Sequence, residues 1–156
     1  MSQQPSTEDL ARWHRWFAVE CNNRAWQLAD QATRTAAEAD EMLDSAHAAA
    51  LHWAKVGTPL NAARAQMLLG HVHAIVGDGV AALRFAAASH AYLTTVDTPD
   101  WEIAFSHAVM ANAAAAAKDP ATHRLHHAAA RAAGDLIAGG EDRGIFEATF
   151  ARIPGP

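Results

Sequence analysis

Ten histidines in 156 residues give this chain its widest chemical reach, because a neutral imidazole can accept a proton or bind a transition metal. Three local patterns set histidines at suggestive spacing. His71-x-His73 has the look of a chelating pair, but two helix positions apart means about 200° of rotation, so the rings face nearly opposite ways. His123 and His127, at i and i+4, share one helix face and together could hold zinc or nickel. Asp119 extends that stripe, although it also stands where a cap is needed before Pro120. Asp44-x-x-His47, with Glu41 one turn earlier, has the spacing of half a carboxylate-bridged two-metal site. The second half is missing, since Glu20-x-x-Asn23 carries an amide where the ligand should be. Candidate metal ligands are thus His123 with His127, and Asp44 and His47 with Glu41. Against them stands the plainer expectation of solvated polar faces and acids that serve a helix N-terminus.

Other chemistry finds little support. There is no nucleophile elbow, and Gly77-x-Gly79 follows a helical pattern where a phosphate loop would follow a strand. The single Cys21 excludes an internal disulfide and a cysteine zinc site, and its place on an apolar stripe predicts a buried, inert thiol. No cofactor is expected, and the reading leans away from an enzyme. A net charge of −5 lacks the basic footprint of a nucleic-acid binder or a polybasic membrane anchor. With a polar, acidic start and no long apolar run, the expectation is a soluble cytoplasmic protein without nucleic-acid or membrane partners.

The elements that must position these side chains are helices. Apolar residues are 51% of the chain yet mean hydropathy is only −0.10, because roughly a quarter of all residues are alanine, the best helix former. No stretch alternates apolar and polar over a strand length, so the fold class is all-α, with about seven helices in one domain. Residues 1–5 are expected to fray. Ser6 with Asp9 caps a first helix whose apolar stripe is Leu10, Trp13, Phe17 and Cys21, widened by Trp16. Thr35 with Glu38 makes a capping box and restarts the helix after a break near Gln31. Thr58-Pro59, Thr98-Pro99 and Asp119-Pro120 each place a capping side chain before a proline, whose missing N–H has no partner at a helix start. A further start follows Gly77-Asp78-Gly79. Gly139-Gly140 is expected to end the helix from 120, leaving a short last helix with Ile145, Phe146 and Phe150.

The boundaries recur at a period of about 40 residues, laying Gly57-Thr58-Pro59 over Asp97-Thr98-Pro99. Each unit is then a helix hairpin that buries its apolar face on the next, with hairpins over 6–57, 58–97 and 98–138 and a capping helix over 141–153. Leu69-Gly70, the turn Gly77 and the small Ala82 give the central unit a form that resembles a tetratricopeptide repeat. It departs from that family in Gln66, in His73, in the longer period, and in Met110 of the next unit. The resemblance implies antiparallel hairpins stacked into a superhelix and a binding or scaffolding role.

In such a stack the first helices line a concave face. Taking Ala65, Leu69, Val72 and Val76 as the buried stripe of the central helix leaves Arg64, Met67 and His71 toward solvent, with His73 at the stripe's edge. The repeat shift carries this phase to Arg24, Gln27 and Gln31, with Arg34 a turn on, and to Ala104, His107 and Ala111. Arg24, Gln27, Arg34, Arg64, Met67, His71 and His107 are the expected ligand residues, suited to an acidic peptide or a small anion. The alternative is a histidine and carboxylate metalloprotein. A homodimer through the Trp13, Trp16 and Phe17 face of the first helix is compatible with either.

Overall fold

The computed structural model describes residues 4–156, and among them it contains seven α-helices and no strand. α1 (Thr7–Ala29) pairs with α2 (Ala36–Val56), α3 (Pro59–Ile75) with α4 (Gly79–Leu93), and α5 (Asp100–Ala116) with α6 (Pro120–Asp135). α7 (Gly140–Phe150) then packs on α5 and α6. The backbones of the first helices of successive hairpins approach closely, α1 with α3 and α3 with α5, whereas α2, α4 and α6 meet one another through side chains such as His47 with Phe85 and His90 with His126. The first helices therefore form the inner layer of a stack and the second helices the outer one. No helix among the described residues is long and apolar enough to cross a membrane. Part of the tail expected over residues 1–5 lies outside the described residues; Gln4 and Pro5 carry no regular structure.

Side-chain caps fix most of the boundaries. Ser6 accepts from the Asp9 N–H, and Thr35 and Thr58 form reciprocal boxes with Glu38 and Asn61. Asp78 and Asp119 accept from the N–H groups of Ala81 and Thr122. Each such cap is worth about 1 kcal/mol over alanine. The boundary expected at Thr98 differs. Pro99 itself is the N-cap, in extended conformation, and the Thr98 hydroxyl is buried without a hydrogen-bond partner. Asp100 turns away to accept the Ala138 N–H at 2.9 Å, which ties the start of α5 to the segment before α7. The glycine pair also has another role than expected. α6 already ends at Asp135, with Leu136 as its C-cap, and Gly139 is the N-cap of α7.

At two glycines the close approach is to the backbone of another hairpin helix or its end. Gly70 brings α3 against α4, since a Cβ there would lie 2.9–3.1 Å from Ala86. At Gly79 a Cβ would stand 2.3 Å from the backbone of Ala117, so the start of α4 is pressed onto the end of α5. Backbone cannot swing aside as a side chain can. Gly79→Ala is therefore expected to cost about 3 kcal/mol or more, at the upper end of overpacking effects. A thermal melt reads this directly; an unchanged Tm would mean that the two hairpins are not in contact here.

α3 and α5 are buried on nearly every side. In α3, Ala63, Ala65, Met67, Leu68, Leu69, Gly70, His71, Val72 and Ala74 are all buried, because α1, α2, α4 and α5 surround it. The expected stripe holds at Ala65, Leu69 and Val72, but Val76 is exposed. The expected solvent side does not exist, and this corrects the placement of His71 and Met67. The first helix differs in the opposite sense. Only Ala18, Ala25, Leu28 and Ala29 of α1 are buried, while Leu10, Trp13, Trp16 and Phe17 are 42–57% exposed and Cys21 is half-buried. Among the described residues α1 packs mainly against α2, with a smaller contact to α3. The side chains expected to support self-pairing are accordingly uncovered. Burial still pushes the Cys21 thiol up, with Glu20 adding to the effect, so the group is far from a reactive thiolate.

Candidate functional site

The inner layer opens into a cavity of about 380 Å³ between α1, α3, α5 and α7. Its walls are apolar and aromatic: Trp26 from α1, Met67 from α3, Trp101 and Phe105 from α5, and Ile145 from α7. Trp101 and Phe105 meet edge to face with centroids 5.9 Å apart, and Trp26 approaches Phe105 the same way at 6.4 Å. Arg64 supplies the one guanidinium of the lining, with its Cζ 6.0 Å from the centroid of the Trp101 ring. Its Nε donates to Oε1 of Glu102, a carboxylate with no exposure, while the other oxygen, Oε2, is buried without a partner. That pair anchors Arg64 at the cavity wall and fixes the facing turns of α3 and α5.

A second cavity, of about 520 Å³, lies beyond it at the C-terminal end of α1, and the two share Asp30 and Thr149 in their linings. Its polar groups are Arg34, Arg152, His71 and Asn112. Arg34 donates to the carbonyls of Leu28, Ala29 and Gln31 at 2.6–2.7 Å, closing the orphan carbonyls at the end of α1. Arg152 donates to the Asp30 carbonyl and lies 3.5 Å from its carboxylate. The lining of this cavity thus holds two guanidiniums and one carboxylate, that of Asp30. Burial holds His71 down to about 4, and Arg34 and Arg152 add to that effect. The His71 ring is neutral at pH 7, stacks on Trp26 with centroids 5.2 Å apart, and shares a 3.3 Å contact with the Asn112 amide.

Four of the residues expected to bind ligand line these cavities: Arg64 and Met67 the first, Arg34 and His71 the second. Arg24 does not. It donates through Nε and Nη2 to both oxygens of Glu41 at 2.6 and 2.9 Å, and through Nη1 to Gln27. Gln27 is outside the cavities with it. On the first cavity α1 places Asn22 and Trp26, with its C-cap Asp30, a rotation of the helix away from the expected Arg24 and Gln27; Gln31 lines the second cavity. On α5 the cavity faces Trp101 and Phe105, and His107 lies two positions from Phe105, on the opposite side of the helix.

Of the expected metal sets, Glu41, Asp44 and His47 are divided among other surroundings. Glu41 is taken by Arg24, and His47 Nε2 lies 3.0 Å from Nε2 of His73 on the neighbouring helix. His73 Nδ1 has no hydrogen bond, so this ring is a packing residue with one satisfied nitrogen. Asp44 is exposed at the surface of α2. His123 donates through Nε2 to the Pro154 carbonyl, 2.7 Å away, and His127 packs on Phe150. Those two rings do meet, edge to face at 5.8 Å, without a third ligand. Among the described residues one group of three is close enough to share an ion: His90 of α4, His107 of α5 and His126 of α6, each half-buried.

His90 and His126 are absent from the sequence expectation, which looked for ligands within single helices. A usable signal was present. In an antiparallel hairpin, residues equidistant from the turn stand at the same height, and the point midway between His90 and His107 falls at Thr98 and Pro99. The midpoint of His107 and His126 falls beside Ala117, where α5 turns into α6. His14 and His52, whose Nδ1 atoms are 2.8 Å apart, are related in the same way about the turn between α1 and α2. Comparison with protein-family models, with curated proteins and with solved structures finds no match, so the chemistry of these cavities is the ground on which function is argued.

Proposed function

We propose that the chain is a non-enzymatic binding module of tetratricopeptide-like architecture that takes a small anionic ligand with an apolar body. The observation that carries this reading is the junction of two unlike cavities at Asp30 and Thr149. The apolar body fills the aromatic cavity, where desolvation supplies about 25 cal/mol per Å². The anionic end reaches Arg152 and Asn112 in the second cavity, where a charge-assisted hydrogen bond contributes about 1.5–3 kcal/mol. Of the two ligand classes expected from the sequence, the small anion fits better than an acidic peptide. Asp30 and Asp142 both line the aromatic cavity and oppose a chain of several acids, and Arg24 is already neutralised by Glu41.

An aromatic carboxylate such as a naphthoate tests this. Two substitutions at exposed positions separate the cavities: Ile145→Trp plugs the aromatic one, and Arg152→Ala removes the outer cation of the other. Calorimetry is expected to show binding to the parent chain, its loss in Ile145→Trp, and a roughly 10-fold weakening in Arg152→Ala. Equal affinity for the corresponding aromatic amine, or binding indifferent to both substitutions, would sink the proposal.

A further inference from the structure

On the outer side of the stack, away from both cavities, three consecutive helices each contribute one imidazole to one place. We infer that His90, His107 and His126 form a three-histidine site for a divalent transition metal of the zinc class, with a fourth position open to water. One ring nitrogen from each lies within 4.8 Å of those of the other two. The rings surround a common point, with centroids 4.6 Å apart for His90 and His107 and 5.1 Å for the other two pairs.

The geometry needs little adjustment to accept an ion. Zinc–nitrogen bonds of about 2.0–2.1 Å at a tetrahedral angle set ligand nitrogens about 3.3 Å apart. Nδ1 of His107 and Nδ1 of His126 are already 2.9 Å apart, sharing one proton that a cation would replace as the bridge. His90 is oriented by a partner of its own. Its Nδ1 lies 2.6 Å from the Ser106 hydroxyl, which leaves Nε2 as its ligand atom and fixes the ring as outer-shell hydrogen bonds do in metal sites. The ligands are also in the required protonation state. Burial lowers all three rings, and His107 is held to about 4 by burial and by its two neighbours, so the neutral imidazoles that bind metal prevail at pH 7. An all-imidazole donor set suits Zn²⁺, Co²⁺, Ni²⁺ or Cu²⁺ and excludes Ca²⁺ and Mg²⁺, which take oxygen ligands.

The arrangement is otherwise hard to account for. Elsewhere the buried faces of α5 are mostly apolar, with Ala104, Ala108, Ala111 and Ala113 beside Phe105, Val109 and Met110. Three imidazoles gathered in a half-buried spot would repel once any two are protonated, where alanine would pack without cost. Three ligands from three helices also staple the second and third hairpins, which neither His123 with His127 nor Asp44 and His47 with Glu41 would do.

The test uses the full chain without a polyhistidine tag, stripped with chelator and titrated with ZnCl₂ and with CoCl₂. The expected result is one ion per chain, a Co²⁺ visible spectrum of four-coordinate intensity, and a raised Tm in the metal-loaded chain. His107→Ala and His126→Gln are each expected to weaken Zn²⁺ by about 100-fold or more, since loss of an outer-shell partner alone costs about 10–100-fold. His126→Gln keeps a helix-forming side chain of similar reach, so it reports on the site even where His107→Ala disturbs packing. His47→Ala and His52→Ala, at the other histidine contacts, are expected to change nothing. Absence of stoichiometric binding overturns the inference, and so does binding that survives His126→Gln or falls equally with His47→Ala.

Discussion

Arg64→Ala is expected to destabilise the chain by about 3 kcal/mol, among the largest effects of any single substitution outside the apolar core. The cause lies in the residue left behind. Glu102 has no exposed surface, and among the described residues Arg64 is its one ionic partner, bonding Oε1 while Oε2 has none. Removing the cation strands a carboxylate inside the α3–α5 interface, and breaking such a pair from one side typically costs about 3–5 kcal/mol. The lower end applies because the Arg64 side chain is 39% exposed, so water reaches part of the gap. Replacing both residues by methionine should restore most of the loss, since apolar side chains of similar volume avoid both the desolvation and the stranded charge. Urea titration of the two single variants and the double variant gives the coupling directly. A change of under about 0.5 kcal/mol in Arg64→Ala would show the pair to be an ordinary solvated contact. The same cycle explains why Arg64 is a poor residue with which to test ligand binding, whereas Ile145 and Arg152 are suitable.

The second large effect is a loss of stability between pH 6.5 and pH 4. His71 is 5% exposed and held at about 4, against an ordinary value of 6.5. The folded chain therefore refuses a proton that the unfolded chain accepts. Stability is full above pH 6.5 and declines as pH falls toward 4, where the folded ring also begins to protonate. At about 1.4 kcal/mol per pH unit the interval corresponds to about 3 kcal/mol from His71 alone. Burial also lowers His47, His52, His90, His107, His126 and His127, and each acts in the same direction, though water screens these less buried rings. Carboxylates whose bonding lowers them, such as Glu38 with Thr35, lose their contribution only at lower pH, so the window from 6.5 to 4.5 isolates the histidines. Urea midpoints across that window should fall steadily, and His71→Gln should remove a large part of the slope. Equal midpoints at pH 7 and pH 4.5 would mean that His71 is open to water.

Much of the fold was legible because helix ends are local chemistry. The reciprocal boxes of Thr35 with Glu38 and Thr58 with Asn61 place boundaries from a handful of adjacent residues, and Gly77, at φ 82°, marks the turn of the central hairpin. Thr98 failed as a cap because the choice between Thr98 and Pro99 depends on where Asp100 finds its partner, 38 residues away at Ala138. The cavity was half legible. Arg64 and Met67 were reached from a helix rotation that assumed one polar side, yet α3 is enclosed by four helices and has none. Apolar residues spread around α3 and α5, so neither carries an amphipathic phase to read, and the error was copied by the repeat shift into Arg24 and His107. The clustered histidines lie on different helices, where only the symmetry of hairpins about their turns brings them together.

The binding proposal is most directly tested by the five indole N–H signals of the protein during titration with a naphthoate. Trp26 and Trp101 line the aromatic cavity, while Trp13 and Trp16 lie on the exposed part of α1 and Trp53 lies on α2. The predicted result is saturable movement of the Trp26 and Trp101 signals with the other three unchanged. Movement confined to Trp13 and Trp16, or no saturable movement at all, would contradict it.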